Sequence, residues 1–180
     1  KNSPNVTGYK TFVPDFGKDM PFQTIAYMAH DDENLYFAFK CFDDPKLIKT
    51  SIAARDKISA DDWICINLDS FNSAQSLYGL EVNPNGIQIV DDGYVVEAKI
   101  PFKSIRYTVK DGQVEMGVIF ERKISRFSTQ GTFPALDPKQ GFAFLTQMMP
   151  LQYDRVKKPK LVEALPAVTY AINKEHINPA

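Results

Sequence analysis

Cysteine, histidine and tryptophan are scarce in this chain: its 180 residues include two, two and one of them. Cys41 and Cys65 cannot build a disulfide framework, and they fall in separate predicted strands whose relative placement the sequence leaves open. With His30 and His176 the only histidines, neither a His-Glu-x-x-His metal site nor a Ser-His-Asp arrangement is present. A haem ligand set would have to use Met28 and His30, which share a strand face, but there is no Cys-x-x-Cys-His attachment site and Met more often fills a core. Charge of one sign is lacking too. With 21 Lys and Arg against 22 Asp and Glu, no broad field would draw a nucleic acid, and that partner class is set aside. No apolar run approaches the ~20 residues of a spanning helix. No signal peptide opens the chain, and Lys1-Asn2-Ser3-Pro4 reads as the interior of a longer protein.

What the chain does have is short apolar runs, punctuated by 12 prolines and by repeated Asp, Asn and Gly, a pattern that argues against a helical bundle. The most informative run is Asp61 to Gly86. Ile64, Ile66 and Leu68 alternate with Trp63, Cys65, Asn67 and Asp69, the period of a strand with one apolar face. After the turn Asn72–Ser76, Tyr78, Leu80 and Val82 alternate with Gly79, Glu81 and Asn83. Paired as a hairpin, the two strands bring Trp63, Asn67, Glu81 and Asn83 onto one polar face, which is the candidate ligand surface.

On either side of this hub the same period recurs. Thr24 to His30 and Leu35 to Phe42 form a hairpin about the turn Asp31–Asn34, with Ile25, Tyr27 and Ala29 on one face of the first strand and Phe37 and Phe39 inward on the second. Lys46 to Ala54 is ambiguous between a strand and a helical turn. Gly93 to Phe102, Val114 to Ile124 and Phe142 to Gln147 read as further strands, giving about seven and an all-β, antiparallel β-sandwich of immunoglobulin-like or jelly-roll-like type. Residues 1–21 are expected as an extended lead-in with at most a short edge strand, 22–149 as the sandwich, and 150–180 as a linker. Pro166 keeps the apolar stretch in that tail from being a central strand throughout.

Six elements occur in order over about 120 residues: Asp32-Glu33-Asn34-Leu35-Tyr36, Arg55-Asp56, Asp61-Asp62-Trp63, Leu68-Asp69-Ser70-Phe71-Asn72, Val82-Asn83-Pro84-Asn85-Gly86, and Asp92-Gly93-Tyr94 through Ile100-Pro101-Phe102. In this order they resemble the family 9 carbohydrate-binding modules, and more narrowly the domain that precedes the β-barrel of Bacteroidetes outer-membrane proteins. Lys160-Leu161-Val162-Glu163-Ala164-Leu165-Pro166-Ala167-Val168 is similar to the boundary motif of those proteins. The resemblance implies a non-catalytic glycan-binding module, exported to the periplasm, outer membrane or surface of a Gram-negative bacterium, with residues 160–180 starting a barrel or its linker. It marks Arg55 as the best polar contact. A structural domain docked on a barrel or outer-membrane partner, without a sugar site, is the alternative. Two departures stand out: only Ile87 to Asp91 separate the Asn-Pro-x-Gly and Asp-Gly-Tyr elements, where similar proteins carry a longer segment, and the Asp-Gly-x-x-Asp-x-x-Trp lead-in is absent. Both remove aromatics that sugar-binding members use to sandwich a ring.

The candidate residues each have a plainer role beside the functional one. Trp63 offers a π-face for sugar C–H bonds, or packing at an edge. The Arg55 guanidinium offers a planar fork for hydroxyls, or an ion pair with Asp56, Asp61 or Asp62. The pairs Asp31-Asp32, Asp43-Asp44, Asp61-Asp62 and Asp91-Asp92 supply the oxygen ligands a structural calcium would want, although turn chemistry accounts for such pairs and none matches an EF-hand loop. Glu81, Glu97, Glu115 and Glu121 could be drawn as a hydrolytic acid/base pair, but three of them occupy the solvent-facing register of strands, and surface charge is the plain reading.

Overall fold

In the computed structural model, residues 3–154 are described apart from 53, 55, 56 and 86. The fold is the expected antiparallel β-sandwich, with eleven strands among the described residues where the alternation predicts about seven. One sheet, here sheet A, has the order β1 (Asn5–Val6), β3 (Thr24–His30), β4 (Asn34–Phe42), β8 (Gly93–Pro101), β7 (Gln88–Val90). Sheet B has the order β2 (Lys10–Val13), β10 (Thr129–Phe133), β9 (Gln113–Ile124), β5 (Trp63–Asp69), β6 (Tyr78–Val82), with β11 (Met149–Asp154) also paired to β9. Strand β9 is long enough to pair β10 over Phe120–Ile124 and β11 over Gln113–Val118.

The core follows from strand parity. Ile64, Ile66 and Leu68 of β5 and Val114, Met116, Val118 and Phe120 of β9 face Leu35, Phe37, Phe39 and Cys41 of β4 and Tyr94, Val96 and Ile100 of β8. Phe120 meets Phe37 and Phe39 edge-on, with centroids 5.7 and 5.3 Å apart, the favoured geometry for aromatic quadrupoles. On β3 the inward residues are Thr24, Ala26 and Met28, because Ala26 pairs with Phe39 and Met28 with Phe37. Ile25, Tyr27 and Ala29 therefore share the outer face. His30 is exposed, and its ring stands edge-on to Tyr153 at 5.2 Å while Met28 faces the core.

One strand expectation is corrected. The run Phe142 to Gln147 lies within 3-10 turns spanning Pro138–Gln147, and the last described strand is β11. The Asp137 carboxylate caps these turns by accepting from the Lys139 amide at 2.9 Å, and Pro138 sits at their start. Asp44-Pro45 repeats the device, with Asp44 capping a 3-10 turn over Pro45–Leu47, which resolves the start of the ambiguous stretch. In the lead-in, the chain passes from the edge of sheet A at β1 to the edge of sheet B at β2 through Gly8, whose φ of +80° suits glycine. The short segment before β8 is a tight hairpin: Val90 pairs with Gly93, leaving Asp91 and Asp92 as the turn. Gly93 has φ of +143°, and an added Cβ there would run into the Cys41 carbonyl oxygen. The tail expectations for residues 155–180 lie outside the described residues.

A buried arginine joins the two sheets. Arg122 occupies the inward register of β9 between Phe120 and Ile124 and is fully buried. One amino group donates to the Gln23 carbonyl and Thr24 Oγ1, both at 3.0 Å; the other donates to the Phe42 carbonyl at 2.8 Å and Asp43 Oδ2 at 3.1 Å. Arg126 holds the other oxygen of Asp43 at 2.5 Å. A buried charge is tolerated when it is paired, and although Nε has no hydrogen-bond partner, the two amino groups of the guanidinium fork fix sheet B against the β3 and β4 ends of sheet A.

Candidate functional site

The hub hairpin forms as its alternation predicts, with Ile64 paired to Val82, Ile66 to Leu80 and Leu68 to Tyr78. Asp69 organises the connecting loop, its carboxylate accepting from the amides of Phe71, Ser73 and Ala74 at 3.1, 2.8 and 2.7 Å. Strand β9 lies on the other side of β5, so Cys65 has Glu81 on one flank and Glu121 on the other, and Asn67 lies between Gly79 and Ile119. The polar row of β5 and β6 thus gains a third strand and, beside Glu81, a second acid, Glu121. Strand period puts Glu121 opposite the apolar residues of its own strand, but nothing local in the sequence sets β9 beside β5.

This face is largely closed. Trp63 is 6% exposed and Asn67 8%, and Ile119, which points away from the inter-sheet core, is fully buried. The chain leaves β9's neighbour β10 at Phe133 and returns at Met149, and Met148 lies over Gly117: a Cβ built there would sit 3.0 Å from the Met148 Cβ. Lys123 Nζ, opposite Trp63, donates to the Ser59 carbonyl. Glu81 is exposed at the rim. Asn83 is half-buried, its amide donating to Asp61 Oδ2 at 2.8 Å and to the Ser51 carbonyl at 3.0 Å. Arg55 lies outside the described residues. Of the four described candidates, Trp63 and Asn67 form the floor, Asn83 ties down a loop and Glu81 is open to solvent.

The electrostatics of the row follow from burial. Burial pushes the Glu121 carboxyl up; the 2.5 Å hydrogen bond from Asn67 Nδ2 opposes this and the charge of Glu81 adds to it. Burial also pushes the Cys65 thiol up, with Glu121 and Glu81 reinforcing the shift, so the sulfur is held as a thiol and is no nucleophile at neutral pH. Asp61 behaves in the opposite way. Burial alone would raise it, but bonds from Asn83 and from the Ser51 amide and hydroxyl outweigh that cost and hold it below the usual carboxylate range. The Asn67 amide is thus engaged by Glu121, and of these three residues Glu81 is the exposed one.

The acidic pairs are engaged elsewhere. Asp31 accepts from the amides of Glu33 and Asn34 and from the Tyr36 hydroxyl. Asp62 accepts from the Lys49 amide and from the Ser125 amide and hydroxyl, and Asp43 is held by the two arginines. Among the described residues no group of three or more His, Cys, Asp or Glu is placed to hold a metal ion.

The outer face of sheet A differs. Pairing of β3, β4 and β8 sets two adjacent rows, Tyr27–Ala38–Glu97 and Ala29–Tyr36–Lys99. They line an open groove of about 480 Å³. The Tyr36 hydroxyl donates to Asp31 Oδ2 at 2.7 Å, and Lys99 Nζ lies 5.8 Å from the Tyr36 ring centroid. The hydrogen bond from Tyr36, with those from the Glu33 and Asn34 amides, holds the Asp31 carboxyl down at about 2. The signal for this groove was in the sequence: Ile25, Tyr27 and Ala29 form an apolar stripe on a strand whose other face also buries.

No family model matches the chain, and no curated protein matches it. Its fold is similar to solved structures of a family 9 carbohydrate-binding module from Caldicellulosiruptor kristjanssonii. The one in complex with cellotriose is 16% identical, with a TM-score of 0.59 over 89% of this chain and 88% of that one. The one in complex with glucose is also 16% identical, with a TM-score of 0.58 over 89% and 87%. At this identity the likeness establishes the fold alone: a β-sandwich like that of the family 9 carbohydrate-binding modules.

Proposed function

We propose that this chain is a non-catalytic carbohydrate-binding module. The observation that carries the reading is the near end-to-end likeness of its sandwich to a module solved with cellotriose and with glucose. Glu81 supports it, because it is exposed at the rim of sheet B, where its carboxylate can accept from sugar hydroxyl groups. A non-catalytic role fits a Cys65 thiol held protonated and a His30 that sits at the end of β3 on the other sheet. We further place the module in an exported protein of a Gram-negative envelope, next to an outer-membrane barrel, on the strength of the ordered motifs and of the Lys160–Val168 segment.

The test is binding of a glycan array, followed by calorimetry of the hits on Arg55→Ala and Glu81→Ala. Each variant is expected to lose about 1.5–3 kcal/mol of affinity, the range for a hydrogen bond to a charged group, with its melting temperature unchanged. A wild-type protein that binds no glycan ends the reading. A structural role docked on a barrel partner is the second reading, favoured by the burial of Trp63, which offers no open stacking platform in this structure. An empty array together with co-purification of an outer-membrane protein would establish it.

A further inference from the structure

We infer that the outer face of sheet A is a second glycan-contacting surface, one that takes a neutral oligosaccharide across Tyr27 and Tyr36. The inference rests on the carbohydrate-binding reading of the chain. It starts from the two rows Tyr27–Ala38–Glu97 and Ala29–Tyr36–Lys99. Each row contains one aromatic, one methyl-sized and one charged residue, and the order is staggered, so the tyrosines lie on one diagonal and the alanines on the other. Diagonal neighbours across a sheet are roughly 7–8 Å apart, so two rings flank a hollow whose floor no long side chain fills. The volume of about 480 Å³ falls within the range of small-ligand sites.

The chemistry of the groove selects the ligand class. Tyrosine gives flat apolar area for sugar C–H bonds at low entropic cost, and the Tyr36 ring is already fixed by its bond to Asp31 and by the Lys99 ammonium. Glu97 accepts and Lys99 donates, and both are exposed on the same face of β8. Their charges balance, so an anionic or cationic ligand would meet one partner and one repulsion, whereas a neutral polyol can use both. Lys99 also lines a neighbouring cavity of about 470 Å³ with Glu33, Lys103 and Tyr107, which extends the surface beyond a single ring toward the end of β8.

The experiment is amide chemical-shift mapping on the full chain, titrated with cellotriose, maltotriose, xylotriose and mannotriose, with trigalacturonate as the charged control. The expected result is saturable shifts at residues 25–29, 36–38 and 97–99 with at least one neutral trimer. Affinity at these amides should fall roughly tenfold in Tyr27→Ala, and the shifts should vanish in Ala38→Leu, which fills the hollow without removing a contact from the fold. Shifts confined to residues 63–69, 79–83 and 119–123 would overturn this second surface and leave the carbohydrate-binding reading standing. No shift with any neutral trimer would overturn both. A stronger response to trigalacturonate would overturn the neutral ligand class, and sugar-independent shifts that grow with protein concentration would assign the face to a second copy of the chain.

Discussion

The two outer faces of this sandwich use similar residue types to opposite ends. On sheet B, Trp63, Cys65, Asn67 and Ile119 are buried, with Met148 over Gly117 and Lys123 tied to a loop carbonyl. On sheet A, Tyr27, Tyr36 and Ala38 are half-buried and Ala29, Glu97 and Lys99 are exposed around an open groove. The difference does not come from strand period, which is the same in both. It comes from what the connections do: the segment 134–148 leaves and re-enters sheet B beside β9, whereas β3 turns directly into β4, and between β4 and β8 the chain runs through β5 and β6 of sheet B and returns at the edge strand β7. An outward register is therefore no guarantee of an accessible site, and an apolar stripe that looks misplaced can mark one.

The strongest way to break this comparison is to enlarge a small residue on each face. Gly117→Leu should cost about 1–3 kcal/mol by overpacking against Met148, whereas Ala38→Leu should stay within about 0.5 kcal/mol, since it projects into open groove. Urea unfolding of the two variants reads the difference. Equal losses would mean that the faces are equally closed.

A smaller effect separates the faces by pH. Burial raises the Glu121 carboxyl, so its ionised form burdens the folded state above that raised value, and the burden disappears as pH falls toward the ordinary 4.5. Glu121→Gln should therefore melt higher than the parent at pH 8, with the gap closing toward pH 4.5. A Glu121→Gln protein that melts lower at pH 8 would show that the ionised carboxylate is needed on sheet B.

The smallest effect belongs to sheet A. Asp31 is held down at about 2 against an ordinary 3.8, first by the Tyr36 hydroxyl, so its contribution is present above 3.8 and is lost as pH falls through about 2. Tyr36→Phe removes the hydroxyl and keeps the ring. It should melt slightly lower than the parent at pH 5, and the two should converge as pH falls from 4 to 2. A constant gap across that range would mean that the Asp31–Tyr36 bond does not set the turn.

Sequence by itself determined the strands with a clear alternation, β3, β4, β5, β6, β8 and β9, because a period of two is a local property. It established the hub hairpin, the inward faces of β4, β8 and β9 and the sandwich class, and the ordered Asp, Asn and Gly elements pointed to the family type. Arg122 was within reach of the same argument, since it sits in the inward register after Val118 and Phe120, and an inward arginine demands a buried partner. That partner, Asp43, is 79 residues away in the chain, so only packing could name it. Tertiary structure alone decided which neighbour each outer face received: that Glu121 would stand beside Cys65 and Asn67, that Met148 would lie over Gly117, and that Tyr27 and Tyr36 would share an open groove. Alternation tells a side chain which way to point. Whether water or another segment waits there depends on where distant connections run, and that depends on the packing of the whole chain.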